Sequence, residues 1–531
     1  KINSREAPAT AAQISQWIYE KSNPGSAAYA VPILVRFTSP VMIDDLSRAI
    51  ADLVSVHPAL RTMIRPSKNM DEFVQIIHPP SGVFPVESRG VVSTEEDSIR
   101  PIIDELLKTP PSIVRAAPLR AVALQQEGEI RGLLLVCHHA AVDEWSIRVL
   151  MQDLQSVLDG DAIPPERLRQ VDQGQKPVAT EDLAWWEEAL ADSAPAIPFP
   201  SPEARAGGRT PIETVLGPED VRELEARCAD LGVEVAAVVV HAVGKTLGRL
   251  LPNPPSKFSI GVPMSLRNDP RLDRSVGMFL NTLPVHVRLD DIDSEAGLKA
   301  TRQNMHEARK HRFVPLEQLV REFGPRRTDG RVPWLDVMVG FVDRPIPDTP
   351  MCSTKVLESR DPPAPLLLVA RRENDGSLRI STQYDDRIVD HNFAKAISES
   401  LLVELVAITS GNWKLLDESI LVGAETSDPG TLVDIVDRVV SAHPDAIAIE
   451  SGTESIRYSD LQVLSRRIAC SLQANGVSAG DVIGIDCEPG VEFPLGVLGV
   501  LRAGGVAMPL APELPQKRRQ KLLELSRVRT V

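Results

Sequence analysis

The chain has 531 residues, 43% of them hydrophobic, and a formal net charge of −15. Its length is several times the roughly 100–150 residues of a common domain, so two to four domains are expected. The acidic balance speaks against nucleic acid or an anionic membrane as the main partner, and no run approaches the ~20 apolar residues of a membrane span.

A helix is predicted over 11–20 behind Thr10 as its cap, and a strand over 29–37 follows the break at Asn23-Pro24-Gly25-Ser26. Ile43, Leu46, Ile50, Leu53 and Val54 repeat with a helical period over 43–56. A strand near 73–77, a helix over 101–107 and a hairpin of 119–125 with 129–136 come next. The hairpin runs into His138-His139-Ala140-Ala141-Val142-Asp143-Glu144-Trp145-Ser146, and a helix over 145–158 follows. Neighbouring strand residues face opposite sides, so the two histidines cannot share a role. An imidazole titrates near about 6.5, so one ring can manage a proton at neutral pH while the other packs into the scaffold.

The polar, proline-bearing stretch 159–177 marks a boundary between a first lobe, 1–175, and a second, 176–412. The second lobe repeats the same mix. It has helices over 181–190, 218–231, 235–250, 294–309 and 392–408, and strands over 214–216, 258–263, 283–289, 337–341, 366–370 and 378–384. Residues 413–430 are a linker by composition. Residues 431–531 restart with alternating strands and helices, an incomplete doubly wound α/β unit. Five scattered cysteines without a CxxC pair point away from a zinc site or disulfide framework and towards a reducing cytoplasm. No secretory signal is read at the start. The missing initiator methionine and the abrupt end at Val531 read as an excised fragment.

The first ~420 residues resemble the condensation domain of nonribosomal peptide synthetases. The resemblance is carried by Ala11-Ala12-Gln13-Ile14-Ser15-Gln16-Trp17, His57-Pro58-Ala59-Leu60-Arg61-Thr62, the His138–Ser146 stretch, Val276-Gly277-Met278-Phe279-Leu280-Asn281-Thr282-Leu283 and Pro315-Leu316-Glu317. The last ~100 resemble the start of an adenylation domain through Ile456-Arg457-Tyr458-Ser459-Asp460-Leu461 and Leu501-Arg502-Ala503-Gly504-Gly505-Val506-Ala507-Met508-Pro509-Leu510. The resemblance implies an α/β fold of two chloramphenicol-acetyltransferase-like lobes in a V around a central tunnel, followed by a truncated adenylation subdomain. That subdomain lacks its phosphate-binding loop and is expected to be inactive. Ser451-Gly452-Thr453 reads as a hairpin turn.

The activity implied is amide bond formation between a donor acyl or peptidyl thioester and the amine of an acceptor aminoacyl thioester. Both would ride on 4′-phosphopantetheine arms of upstream and downstream peptidyl carrier proteins, within a larger cytoplasmic synthetase. No metal or other bound cofactor is expected. His139 matches the family's second histidine and is the catalytic candidate, as a base or a positioning group. His138 is assigned to the scaffold, and Asp143 and Arg267 to a structural ion pair. Glu144 stands where the family has glycine. Three readings follow: a tolerated side chain turned away, a carboxylate that meets a cationic group of an altered substrate, or lost activity. Ser146 is placed facing the pantetheine arm. Asp336 either faces the cleft by strand alternation or is solvated at the surface. Trp145 and the pair Trp185-Trp186 read as packing, and 517–521 as a solvated helix face.

The competing readings are a condensation-like platform that docks carriers without chemistry, and an epimerising or ester-forming relative. The intact His-His-Asp set favours chemistry over docking, and direct linkage to an adenylation start speaks against epimerisation. The donor's stereochemistry stays open.

Overall fold

The structure is a computed structural model. It describes residues 4–510 apart from 68–71, 116–117, 166–169, 171–177, 201–209, 326–330, 360, 412, 414–430, 452–453 and 488–489, together with 519, 520, 523, 528 and 530. Most of the predicted linker, two residues of the 451–453 turn and most of the 517–521 run therefore lie outside the described residues. The chain divides into two compact units, residues 1–419 and 420–531.

The larger unit is built on two main sheets. The first has five strands in the order Cys352–Val356, Ala30–Val41, Glu129–His138, Leu119–Gln126, Glu87–Gly90. Its central strand is apolar on both sides because both faces are covered. Leu133, Leu135 and Cys137 join one core with the helices Ile43–Val56 and Glu144–Leu158. Leu134 and Val136 join another with Ile99, Ile103 and Leu106 of the helix Glu96–Lys108. A side-chain period of two makes this division automatic.

The second sheet has six strands in the order Leu280–Arg288, Lys257–Ser265, Val337–Val342, Leu366–Arg372, Leu378–Tyr384, Ile212–Leu216. The largely apolar helix Val235–Leu250, which also buries His241 and Lys245, and the helix His391–Thr409 pack in its core. A three-stranded sheet of Arg5–Pro8, Phe73–Ile77 and Thr62–Pro66 completes the described β-structure of this unit.

Strands Arg5–Pro8, Thr62–Pro66 and Glu87–Gly90 and helix Leu316–Phe323 have no counterpart in the sequence reading, and two further differences bear on the architecture. Strand Cys352–Val356 was not anticipated. It lies within the span assigned to the second lobe, yet it pairs antiparallel with Ala30–Val41 in the first sheet. Lobe membership and chain order therefore part company there. The helix expected from Pro101 begins at Glu96, with Glu96 and Asp97 in its first turn and Pro101 inside it. Pro101 is the sixth residue of this helix, where an N–H would otherwise bond the Asp97 carbonyl, so here proline does not mark the start.

Two buried histidines give this unit an acid liability. Burial, with His139 as a lesser cause, holds His138 down to about 3, and burial with Lys245 nearby holds His241 down to about 4. An unfolded ring titrates near about 6.5, so between there and about pH 4 the unfolded chain binds protons that the folded chain refuses. Stability is then full above pH 6.5 and falls as acid is added, by up to about 1.4 kcal/mol per pH unit for each ring. Denaturant melts at pH 7 and pH 5 should show this slope, and His241→Gln should remove one ring's share.

The smaller unit has the helix Leu432–Ala442, the hairpin Ile447–Ser451 with Glu454–Arg457, and the helix Tyr458–Ala474. Strands Val482–Asp486 and Val506–Leu510 then pair in parallel across the helix Glu492–Arg502. Arg502 clamps Asp437, which also accepts from Gln462 at 2.9 Å, and this tie joins three helices. Arg502 holds the Asp437 carboxyl well below its usual range.

Candidate active site

Strand Glu129–His138 ends where His138 pairs with Ala30, and the chain turns before entering the helix Glu144–Leu158. The turn is tied by its own backbone: Ala141 N–H donates to His138 O at 2.9 Å, and His139 N–H to Tyr29 O at 2.8 Å. His138 is 3% exposed. Its Nδ1 accepts the Ala140 N–H at 3.1 Å, so the neutral ring carries its proton on Nε2, which lies 3.7 Å from Glu20. Both nitrogens of His138 thus face scaffold groups.

His139 is different. It is half-buried, its Nδ1 is buried without a hydrogen-bond partner, and among the described residues no hydrogen bond or ion pair ties its ring. A buried polar atom left unsatisfied costs roughly 1–3 kcal/mol, so it marks either strain or a place for a partner.

Asp143 caps the helix, accepting Ser146 N–H at 2.8 Å. It also accepts Arg267 Nη2 at 3.0 and 3.2 Å, Ser146 Oγ–H at 2.6 Å and Phe279 N–H at 3.1 Å. Arg267 in turn donates to the Leu272 and Ser275 carbonyls at 2.6 and 2.9 Å and lies 4.1 Å from the centre of the Phe279 ring. The aspartate is thereby fully engaged as an acceptor, and the pair stitches the helix start of the first sheet's core to the loop that enters strand Leu280–Arg288.

The structure relocates two residues. Ser146 does not face an arm. It is fully buried, and its hydroxyl accepts Gly277 N–H at 3.0 Å while bonded to Asp143. The reason is positional: as the third residue after the cap it lies over Asp143 in the first turn. Asp336 is neither in a cleft nor at the surface. It is 1% exposed, accepts Ile197 N–H at 2.7 Å and pairs with Arg331 at 3.2 Å. Strand alternation does not reach it, because the strand begins at Val337.

Glu144 finds a cation within the chain. Its carboxylate meets Arg371 at 2.5 Å, at the end of strand Leu366–Arg372, and Glu358 stands 3.8 Å from the same guanidinium. Glu358 also accepts from Gln383 at 2.7 Å. Burial pushes the Glu358 carboxyl up against the pull of Arg371, and the flanking glutamates hold the Arg371 guanidinium charged. Arg371 escaped sequence analysis because nothing local separates it from any other strand-end arginine. A double-mutant cycle of Glu144→Gln and Arg371→Met should give a coupling of about 1–2 kcal/mol in denaturant melts. Additive effects would mean that the pair contributes nothing.

Trp145 is half-buried and its Nε1–H donates to Asp273 O at 2.7 Å, a brace rather than pure core. Trp186 is 1% exposed and stacks edge-on with Trp185. Asn281, in the second half of the Val276–Leu283 segment, donates to the Arg312 and Val314 carbonyls at 2.8 and 2.7 Å and so holds the approach to helix Leu316–Phe323. Glu317 at the start of that helix lines a cavity of about 170 Å³ with Met278 and Phe279, and burial pushes its carboxyl up. Among the described residues, no cluster of three or more metal-ligating side chains occurs.

Comparison with known proteins matches the condensation-domain family over residues 3–427 and the AMP-binding enzyme family over residues 436–531. Tyrocidine synthase 3 of Brevibacillus parabrevis is 24% identical over 97% of this chain and 8% of its own length. Surfactin synthase subunit 1 of Bacillus subtilis (strain 168) is 26% identical over 97% of this chain and 15% of its own. The chain thus spans only a small part of the curated relatives that it matches. Among solved structures, a four-domain nonribosomal peptide synthetase bound to AMP and glycine covers all of this chain and 44% of its own, at 17% identity and a TM-score of 0.65. The condensation domain of the monacolin K polyketide synthase MokA covers 77% of this chain and 99% of its own, at 17% identity and a TM-score of 0.64.

Proposed function

This chain belongs to the condensation-domain family and runs on into the AMP-binding enzyme family, and on that premise we propose that it makes an amide bond between two carrier-bound thioesters. The donor is an acyl or peptidyl thioester, the acceptor an aminoacyl thioester, and each is presented on a 4′-phosphopantetheine arm by a carrier upstream or downstream in a multidomain synthetase working in the cytoplasm. The adenylation fragment takes no part in the step.

The reading is carried by one contrast. His138, Asp143, Arg267 and Ser146 are held by hydrogen bonds, whereas the ring of His139 in the same loop has none. A group whose own bonds are satisfied cannot take up a substrate without giving something up; His139 can. In the reaction the unprotonated acceptor amine attacks the donor carbonyl carbon. The C–N bond forms, the carbonyl oxygen carries negative charge briefly, and the C–S bond breaks as the thiolate leaves. One amine proton must depart and the thiolate must gain one. His139 hydrogen-bonds the amine, fixing its lone pair on the carbonyl and accepting its proton for delivery to the sulfur. General-base work contributes about 10²–10⁴-fold, and alignment of two tethered reactants contributes more. Asp143 is not the base, because Arg267 and three further donors already use its lone pairs.

Transfer of a radiolabelled donor from one loaded carrier to another, in the presence of the chain, tests the proposal. Label arriving on the acceptor carrier as an amide supports it. Carriers that bind the chain without transfer would reduce it to a docking platform.

A further inference from the structure

On the face of strand Glu129–His138 that carries Leu134 and Val136, a cavity of about 510 Å³ opens at the end of helix Ala11–Ser22. His138 and Tyr29 form part of its wall; His139 does not. It is therefore distinct from the place where the His139 ring stands, although the two share the loop that positions both.

The charge of this cavity is opposite to that of the protein. Lys21, Lys108, Arg115 and Arg120 line it, in a chain of net charge −15. One carboxylate, Glu20, joins them, and it is already engaged: it accepts from the Ser112 hydroxyl and, at 3.3 Å, from Ile113 N–H. Arg120 is partly used by the Thr109 carbonyl at 3.1 Å and by Glu87 at 3.5 Å. Among the described residues, Lys108 and Arg115 make no ion pair, and Lys21 lies only over the Trp17 ring, 5.4 Å from its centre. Three cations thus converge on one hollow with little to neutralise them. The remaining wall is mixed: Ser26, Thr109 and Ser112 bring hydroxyls, and Pro110, Pro111 and Val114 form an apolar stretch. The volume is in the range of pockets that take organic ligands, far above the need of a bare inorganic ion.

We propose that this cavity binds a phosphate ester, its phosphate held by Lys21, Lys108 and Arg115 and its organic part lying against the proline wall. Arginine and lysine together suit a phosphate, whose oxygens accept several charge-assisted hydrogen bonds at once. Such an ester is either a free small molecule or the phosphodiester of a carrier-borne arm. The site is argued from its own charges and does not depend on the condensation reading.

Isothermal titration calorimetry on the whole chain tests it, with inorganic phosphate, pantetheine and pantetheine 4′-phosphate as probes. The phosphorylated compound should bind at least roughly tenfold more tightly than either other probe, and the Lys108→Glu, Arg115→Glu double variant should weaken it by roughly tenfold or more. Both positions are exposed, so the variant should melt like the parent, which a melt will check. A carrier bearing its phosphopantetheine arm that binds more weakly to the variant, compared with the same carrier lacking the arm, assigns the ester to the carrier; sensitivity for the free ester alone assigns it to a small molecule. Equal affinity of parent and variant for pantetheine 4′-phosphate, or no binding to the parent, overturns the proposal. Calorimetry needs no turnover, so a chain that binds the ester but forms no amide leaves this site standing.

Discussion

Arg267→Ala should destabilise the larger unit by about 3–5 kcal/mol, read as a lowered midpoint in denaturant melts. The side chains of Asp143 and Arg267 are 3% and 8% exposed. Taking the guanidinium away leaves a carboxylate out of water with only neutral donors, Ser146 and the Phe279 N–H. It also strands the Leu272 and Ser275 carbonyls that Arg267 satisfied and removes the cation from the face of Phe279. Asp143→Asn should be milder in charge but still harmful, because an amide cannot accept at both atoms. Arg267→Lys should not rescue the loss, since one ammonium cannot serve Asp143 and two carbonyls in the planar geometry of a guanidinium. Turnover per folded molecule distinguishes a structural tie from a chemical role. If Arg267→Ala melts like the parent but condenses poorly, the pair acts on the reaction directly and its structural assignment fails.

His139→Ala should behave in the opposite way. Condensation should fall by about 10²–10⁴-fold while stability shifts by less than about 1 kcal/mol, because the ring has no hydrogen bond to lose. His138→Ala is the internal control. It removes the acceptor of the buried Ala140 N–H, which should cost about 1–3 kcal/mol. The two adjacent imidazoles are thus expected to separate cleanly, one read in turnover and one in melting. A His139→Ala chain with parental condensation, or one that melts as poorly as His138→Ala, would remove the case for chemistry at this loop.

The environment of Glu144 bears on the same loop. Its carboxylate is occupied by Arg371, so a substrate cation would have to compete with a guanidinium on the chain itself. Glu144 thus has a partner within the fold, on a strand more than 200 residues away in the chain.

The elements that could be read from the chain alone are those whose cause is local. Ile43, Leu46, Ile50, Leu53 and Val54 recur with the helical period, and all but Ile43 are buried in the helix Ile43–Val56. The run before the histidines is apolar at every position because two cores cover the strand, and a strand between two cores is legible without knowing what covers it. Pro101 misled because its effect on a helix depends on where the first turn lies. Ser146 and Asp336 misled for a related reason: residue type and alternation say which way a side chain leaves the backbone, and neither says what waits there.

Composition, period and spacing settled the α/β class and the loop that holds both histidines, since each depends on residues near one another in the chain. The tertiary structure alone decided that strand Cys352–Val356 crosses to the first sheet, that Arg371 answers Glu144, and that one imidazole is bonded while its neighbour is not. Those outcomes depend on which distant groups meet in a low-dielectric interior, where a paired charge or hydrogen bond is tolerated and an unpaired one is costly.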